Sequence, residues 1–359
     1  MTLPDEDSSP RPDLLADRYR VDDLIGHGGM AEVYRGHDVA LDRPVAIKYF
    51  RSAAAADPRQ EHELSVLASM DHHALVSLLD AGVAETPKGS QRYLVMALVS
   101  GPNLEERLAD GEIASRHIAE IGYDLAEALD YIHSRGVVHR DIKPSNILLV
   151  DYGDTATRAR AKLTDFGIAL AAEMERLTAE GVTTGTAAYL SPEQALGEEV
   201  GPASDVYALG LVLLQCFTRQ PEYPGSLVES ALARLSRAPV IPESLPPHWQ
   251  DLLTAMTSSS PDARPAGQEL VSLMRQVVIA ESARHRDDVE APVEQGERQR
   301  GAEHAEILDT LPDDALQRVT AMAARLFEAP ISLVSVVDHD RTWYRSYYGA
   351  GVAEVARHL

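Results

Sequence analysis

VVHRDIKPSNILLV, residues 137–150, places a charged octet between two apolar flanks. His139, Arg140, Asp141, Lys143, Ser145 and Asn146 stand between segments that belong in a core. Burying such groups without partners costs kilocalories. The stretch therefore raises a question of partners, and the rest of the chain has to answer it.

A second acidic motif, TDFG, follows at residues 164–167. A phosphoryl-transfer site needs one carboxylate to orient the attacking hydroxyl and accept its proton. It needs another carboxylate and an amide oxygen to hold Mg²⁺, which prefers hard oxygen ligands. Asp141, Asp165 and Asn146 would supply that set. Taken singly, each reads equally well as a turn residue.

Upstream, IGHGGMAEV at residues 25–33 sets Gly26, Gly28 and Gly29 between two strand-like runs. Missing side chains let backbone amides approach an anion closely. Ala31 stands where a third spaced glycine would complete the pattern, and His27 at the tip reads as an exposed turn residue. VAIK then places Lys48 on a strand, where it is either a snorkelling surface group or a holder of phosphate oxygens. Glu61 and Glu63 on the next helical segment could fix it. Glu63 lies one turn before Leu67 on the face turned to the sheet and is preferred.

The organisation around these motifs is legible. Residues 1–18 read as a disordered acidic tail. Residues 19–96 are strand-rich with one helix over 58–70, whose Leu64, Leu67 and Ala68 share a face. From residue 97 the chain turns helical. Ser115 can cap a helix striped by Ile118, Ile121, Leu125, Leu129 and Ile132, and Gly136 can end it. Residues 204–218 are apolar all round, as in a central helix, and helices fit 247–257 and 266–280. Residues 281–300 are charged without apolar periodicity and read as a linker or an exposed helical extension. Beyond them, ISLVSVVD and TWYRSYYG read as two strands joined near residues 338–341.

With 359 residues, 45% of them hydrophobic and 25% charged, the chain suits two or three globular units. A net charge of −23 argues against nucleic-acid or anionic-membrane partners, whose binders are basic. The acidic, Pro-rich N-terminus is unlike a signal peptide, and no apolar run approaches the ~20 residues of a membrane span. A cytoplasmic location is expected. The single cysteine, Cys216, excludes an intrachain disulfide and reads as a buried small hydrophobe.

In order and spacing, IGHGGMAEV, VAIK, Glu63, HRDIKPSN, DFG, GTAAYLSPEQ, SDVYALG and the arginine of PDARP resemble a eukaryotic-type protein kinase domain. Bacterial Ser/Thr kinases are the nearest resemblance, through the G-x-G-G-M of Gly26 to Met30. The resemblance covers residues 19–280. It implies an α+β bilobal fold: a small β-rich lobe over 19–96 and a large helical lobe over 97–280.

It also answers the opening question, because the octet becomes the catalytic loop in the cleft between lobes. The resemblance implies Asp141 as base, Lys143 on the transferred phosphoryl group, Asn146 and Asp165 on Mg²⁺ or Mn²⁺, and Lys48, fixed by Glu63, on ATP phosphates. Thr186 would support the loop, Asp205 would hold its backbone, and Glu193 would pair with Arg264. ATP would lie under Ile25, Gly26, His27, Gly28 and Gly29, with Val33, Ala46 and Leu148 sandwiching adenine. Met96 would be the gatekeeper, with Ala97, Leu98 and Val99 as hinge.

Lys143, two residues after Asp141, is the Ser/Thr pattern of that family, so protein Ser/Thr hydroxyls are the expected substrates. Arg140 before the aspartate goes with control by activation-loop phosphorylation, and Thr178, Thr183 and Thr184 are the expected sites. A pseudokinase scaffold is the alternative, although Lys48, Asp141 and Asp165 are all present. Residues 301–359 resemble the start of a GAF domain at less than half its length, so no ligand carries over. Such a piece buries little apolar surface. It would either dock on the kinase or on a second chain, as in a homodimer, or be loosely folded.

Overall fold

The computed structural model describes residues 14–27, 31–50, 68–86, 89–150, 160–165, 186–290, 332–337, 341–348 and 354–356. The chain divides into two compact units, residues 1–283 and 284–359.

The first unit opens with an antiparallel sheet of β1 (Tyr19–His27), β2 (Ala31–Asp38), β3 (Arg43–Phe50), β4 (Leu78–Thr86) and β5 (Gly89–Ala97), in the order β1-β2-β3-β5-β4. Alternation along β3 sends Val45 and Ile47 to one face, where they pack with Leu15, Tyr19, Tyr93 and Val95. Residues 15–18, expected in a disordered tail, belong to this lobe instead. Leu15 is buried, and Arg18 makes a bidentate pair with buried Asp38 at 2.7 and 2.9 Å. That guanidinium holds the Asp38 carboxyl down at about 2.

After β5 come helices α1 (Leu104–Asp110) and α2 (Ser115–His133), then the hairpin of β6 (Ile147–Val150) and β7 (Arg160–Leu163). Helices α3 (Pro192–Leu196), α4 (Pro202–Thr218), α5 (Leu227–Ser236), α6 (Pro247–Met256) and α7 (Gln268–Glu290) complete the unit. As expected from its composition, α4 is the central helix, buried on nearly all sides from Ser204 to Cys216. Cys216 sits among its neighbours with its thiol pushed up to about 12 by burial, which makes it an inert core residue.

Two boundaries differ from expectation. Ser115 does not cap α2, since Ala114 occupies the N-cap position and makes no side-chain cap. The Ser115 hydroxyl instead donates to Glu281 at 2.5 Å. Glu281, placed in a linker by its charge, is buried within α7 and also accepts from Trp249 Nε1 at 3.0 Å and meets His248 Nε2 at 2.7 Å. A charged residue with three partners mimics a linker in composition. The helix continues to Glu290, and residues 291–300 lie outside the described set. The helix expected over 58–70 falls almost wholly outside it as well.

Beneath α4, Arg264 and Glu193 form a bidentate pair at 2.7 and 2.9 Å. The Ser204 hydroxyl adds a bond to Glu193 at 2.6 Å, and the guanidinium lies over the Tyr207 ring. Burial alone would raise the Glu193 carboxyl, but these donors outweigh it and hold it at about 2. A ring of such partners is what a buried pair needs to offset its desolvation.

The second unit is seen as a three-stranded antiparallel sheet, β8 (Ser332–Val337), β9 (Arg341–Tyr348) and β10 (Glu354–Ala356), with β9 central. The first two are the expected hairpin. Residues 291–331, which precede this sheet, lie outside the described residues.

Because the folded Glu193 carboxyl lies below its ordinary value, its stabilisation is full above about pH 5 and is lost as pH falls toward about 2. Denaturant unfolding of wild type and Glu193→Gln should therefore differ most near neutrality and converge in acid. A difference that stays constant from pH 7 to pH 3 would contradict the pairing.

Candidate active site

Asp205, in the first turn of α4, is 1% exposed and accepts three hydrogen bonds. The backbone amides of His139 and Arg140 reach Oδ2 and Oδ1, each at 2.8 Å, and His133 Nε2 contacts Oδ2 at 2.8 Å. This grip matters because Arg140 has φ +68°, a left-handed conformation unfavourable for a side-chain-bearing residue. The carboxylate offsets that strain and fixes the start of the octet. Fully buried His139 carries the second tie, its Nε2 lying 3.0 Å from the Thr164 carbonyl. Gln194 of α3 supports the turn from the other side by donating to the Arg140 carbonyl at 3.3 Å.

Past that turn the charges of the opening stretch meet one another. Lys143 Nζ lies 2.9 Å from Asp141 Oδ2. Asn146 Nδ2 donates to the Asp141 carbonyl at 2.8 Å and to its Oδ2 at 3.0 Å. Asn146 sits in a short 3₁₀ turn, Pro144–Asn146, in which the Asn146 amide donates to the Lys143 carbonyl at 3.0 Å and the Ile147 amide to the Pro144 carbonyl. The Asn146 carbonyl accepts from Thr164 N at 3.0 Å, so the octet and the TDFG segment are stitched together at their backbones. One residue on, Asp165 also adopts a left-handed φ of +60°, and its Oδ1 pairs with Lys48 Nζ at 2.7 Å. Lys48 belongs to the small sheet, so this pair spans the two lobes.

Strand register assembles the roof. Directly paired residues on antiparallel strands point to the same face. Val33 pairs with Lys48 and with Gly26, and Ala46 pairs with Met96. Gly26, Val33, Ala46, Lys48 and Met96 therefore share the face opposite Val45 and Ile47. The floor comes from Leu148 on β6, which bridges to Asn103. There the strap after β5 runs so close that a Cβ on Gly101 would meet the Leu149 carbonyl at 2.0 Å, at a φ of +140° that also favours glycine. Val99 lies on this strap, half-buried.

Among the remaining expected site residues, Ile25 and His27 end β1, with Ile25 exposed and His27 paired to Glu32. Ala31 is buried at the start of β2, opposite Phe50. The backbone of Thr186 opens a 3₁₀ turn, Thr186–Tyr189. Gly28, Gly29, Glu63, Thr178, Thr183 and Thr184 lie outside the described residues. Sequence reasoning assigned no role to His133, His139 or Gln194. A histidine directly after the apolar pair Val137 and Val138 was the available signal for His139.

The donor set suits a divalent ion. Asp165 offers a carboxylate, and Asn146 engages Asp141 through Nδ2, leaving the amide oxygen as its metal donor. Both are hard oxygen donors of the kind Mg²⁺ accepts.

Replacing Asp205 by Asn swaps one acceptor oxygen for a donor facing backbone N–H groups. Charge-assisted bonds of this kind contribute about 1.5–3 kcal/mol each. Hydrogen exchange at the His139 and Arg140 amides should accelerate at least about tenfold in Asp205→Asn, and unchanged protection would remove Asp205 from its holding role.

Comparison with known proteins agrees with this geometry. A family model described as protein kinase domain matches residues 19–274. Serine/threonine-protein kinase PknB of Mycolicibacterium smegmatis is 38% identical over 265 residues, covering 70% of this chain and 41% of that protein. PknB of Mycobacterium tuberculosis is 39% identical over 240 residues, covering 65% of this chain and 37% of that protein. PknL of the same species is 35% identical over 296 residues, 76% of this chain and 72% of PknL. The chain thus spans about two fifths of the length of the PknB relatives. Among the described residues no helix is long and apolar enough to cross a membrane. With the protein kinase domain model matching residues 19–274, most of this chain, and the lysine and aspartates of its motifs drawn together between two lobes, the chain belongs to the protein kinase domain family.

Proposed function

We propose that the chain transfers the γ-phosphoryl group of ATP to Ser or Thr hydroxyls of protein substrates. The observation that carries this reading is the contact set Lys48–Asp165 and Lys143–Asp141–Asn146, drawn from two lobes onto one cleft. The Ser/Thr kinase names of the relatives support the substrate class. A pseudokinase would be expected to lack one of these side chains.

In this mechanism Asp141 accepts a hydrogen bond from the substrate hydroxyl and takes its proton as the oxygen attacks phosphorus. Lys143, beside Asp141 Oδ2, places positive charge where the transferred group gains negative charge. Lys48 orients the nucleotide phosphates, and Glu63 is its proposed partner. Asp165 and Asn146 would hold Mg²⁺, or Mn²⁺ in its place, which neutralises phosphate charge. Adenine fits between Val33 and Ala46 above and Leu148 below, beside Met96 and against the strap through Val99. The turn of Ile25, Gly26, His27, Gly28 and Gly29 would cover the phosphates, and Thr186 would steady Asp141.

Control by phosphorylation has support in Arg140. Its Nε is buried with no hydrogen-bond partner among the described residues, an uncommon state for a guanidinium. A phosphate on Thr178, Thr183 or Thr184 would supply the missing acceptor oxygens. For the second unit, the β8–β9 hairpin supports the reading of residues 301–359 as the beginning of a GAF-type domain.

An in vitro assay with ATP, Mg²⁺ and a generic Ser/Thr protein acceptor should find Asp141→Asn slower by about 10²–10⁴-fold. Near wild-type turnover in that variant would reject the assignment. Mass spectrometry after incubation with ATP should find phosphate on at least one of Thr178, Thr183 and Thr184, and Arg140→Gln should lose the accompanying rise in activity. A chain active with all three threonines unmodified would dismiss this mode of control.

A further inference from the structure

Away from the cleft, we propose that His73, Asp124 and Glu127 form a second metal site, one that takes a tetrahedral first-row divalent cation of the Zn²⁺ type. Asp124 and Glu127 stand three residues apart on α2 and so share one face of that helix. His73 comes from the segment entering β4. Its Nε2 lies 3.6 Å from Asp124 Oδ1 and 3.4 Å from Glu127 Oε2, and the three ligand atoms lie within 4.8 Å of one another.

These separations lie within ion-pair range and are also those of a ligand set. A direct charge-assisted N–H···O bond would draw the atoms to about 2.7–2.9 Å. Ligands at about 2.0–2.2 Å from one tetrahedral ion stand roughly 3.3–3.6 Å apart. Ligands of octahedral Mg²⁺ at about 2.0–2.1 Å stand roughly 2.9 Å apart. Both histidine distances match the tetrahedral edge. An imidazole nitrogen also favours transition metals over Mg²⁺ and Ca²⁺.

The surrounding contacts orient the set. The Tyr123 hydroxyl donates to Glu127 Oε1 at 2.8 Å, and Ala161 N donates to Asp124 Oδ2 at 3.1 Å. In each carboxylate the outer oxygen is tied while the other faces His73. Such outer partners hold ligands in place at metal sites. The His73 ring packs at a tilt of 43° against that of His72, with centroids 4.3 Å apart, and His72 packs at a tilt of 30° against Tyr131 at 5.0 Å, so neighbouring rings restrict the swing of His73. Lys162 and Arg275 are opposing charges nearby; the Lys162 ammonium is engaged by the carbonyls of His73 and Leu75, and Arg275 donates to the Tyr123 hydroxyl at 3.3 Å. Two carboxylates and a neutral imidazole would neutralise a divalent ion. His73 is 55% exposed, which leaves a fourth position open to water.

Position gives the site a use. Ala74 and Val76 exchange backbone bonds with Leu163, two residues before Asp165. An ion clamping His73 to α2 would brace β7, the strand that leads into Asp165.

The test uses the full chain without an affinity tag, in an Asp165→Asn background that removes the cleft ligand, and no nucleotide. Zn²⁺ titrated against a competing chelator should reveal one tight equivalent. His73→Ala and Glu127→Gln should weaken it at least about tenfold, and Tyr123→Phe should weaken it by a smaller factor within the 10–100-fold range of outer partners. Co²⁺ in place of Zn²⁺ should give the intense visible absorption of a tetrahedral centre, absent in His73→Ala. Circular dichroism of the metal-free variants checks that they fold, and His73 is exposed enough to be replaced safely. A tight equivalent that survives in folded His73→Ala, or a Co²⁺ spectrum of weak octahedral character, overturns the proposal.

Discussion

One buried carboxylate organises the active cleft. Asp205 lies in the first turn of the central helix, where its charge also suits the helix dipole. It receives the amides of His139 and Arg140 and the ring of His133. Without it, a left-handed arginine turn would have to hold itself, at a strain of order 1–3 kcal/mol. With it, the most rigid element of the larger lobe dictates where the octet begins. Asp141, Lys143 and Asn146 follow within one short turn and inherit that position. His139 then passes the constraint to Thr164, so the second acidic motif is placed by the same anchor.

The smaller lobe contributes through register rather than anchoring. A strand has two faces, and pairing decides which residues share one. Val45 and Ile47 are drawn to the apolar cluster with Tyr19 and Val95. Ala46 and Lys48 are thereby turned the other way, beside Val33 and Met96. A one-residue slip would bury the ammonium and expose the isoleucine. The apolar face of the small sheet thus sets the aim of the lysine.

Much of this was readable from residue order. The charged octet between apolar flanks, the glycine turn, the lysine on its strand and the all-apolar helix each had a local signature. The short helices α1, α3 and α5 escaped notice although their signals were present. Asn103 with Glu106, Ser191 with Gln194 and Ser226 with Glu229 each form a reciprocal capping box. Ser191, within the GTAAYLSPEQ motif, is the N-cap of α3. The ends of the domain were harder, because composition alone cannot tell a solvated charge from a partnered one. Arg18 and Glu281 looked like tail and linker residues, and each proved to be held by buried partners far away in sequence. The roles of His133 and His139 depend on a carboxylate some seventy residues downstream, a contact only the fold creates.

The two principal ion pairs divide labour by their surroundings. Glu193–Arg264 is almost wholly shielded, with side chains 5% and 0% exposed, and further donors and acceptors fill its hydrogen-bonding capacity. Nothing can exchange with it, so it serves the architecture. Lys48–Asp165 is open to the cleft at 16% and 31% exposure. Water screens it, and either partner can be given up to a phosphate or a divalent ion at little cost in desolvation. On the proposed function, an interlobe pair of that kind would hold its two side chains ready and yield them when nucleotide enters. A fully buried pair at the same position would brace the lobes more firmly and leave no ammonium for the phosphates. The cleft therefore depends on a weak pair, made possible because the strong one beneath α4 carries the structural load.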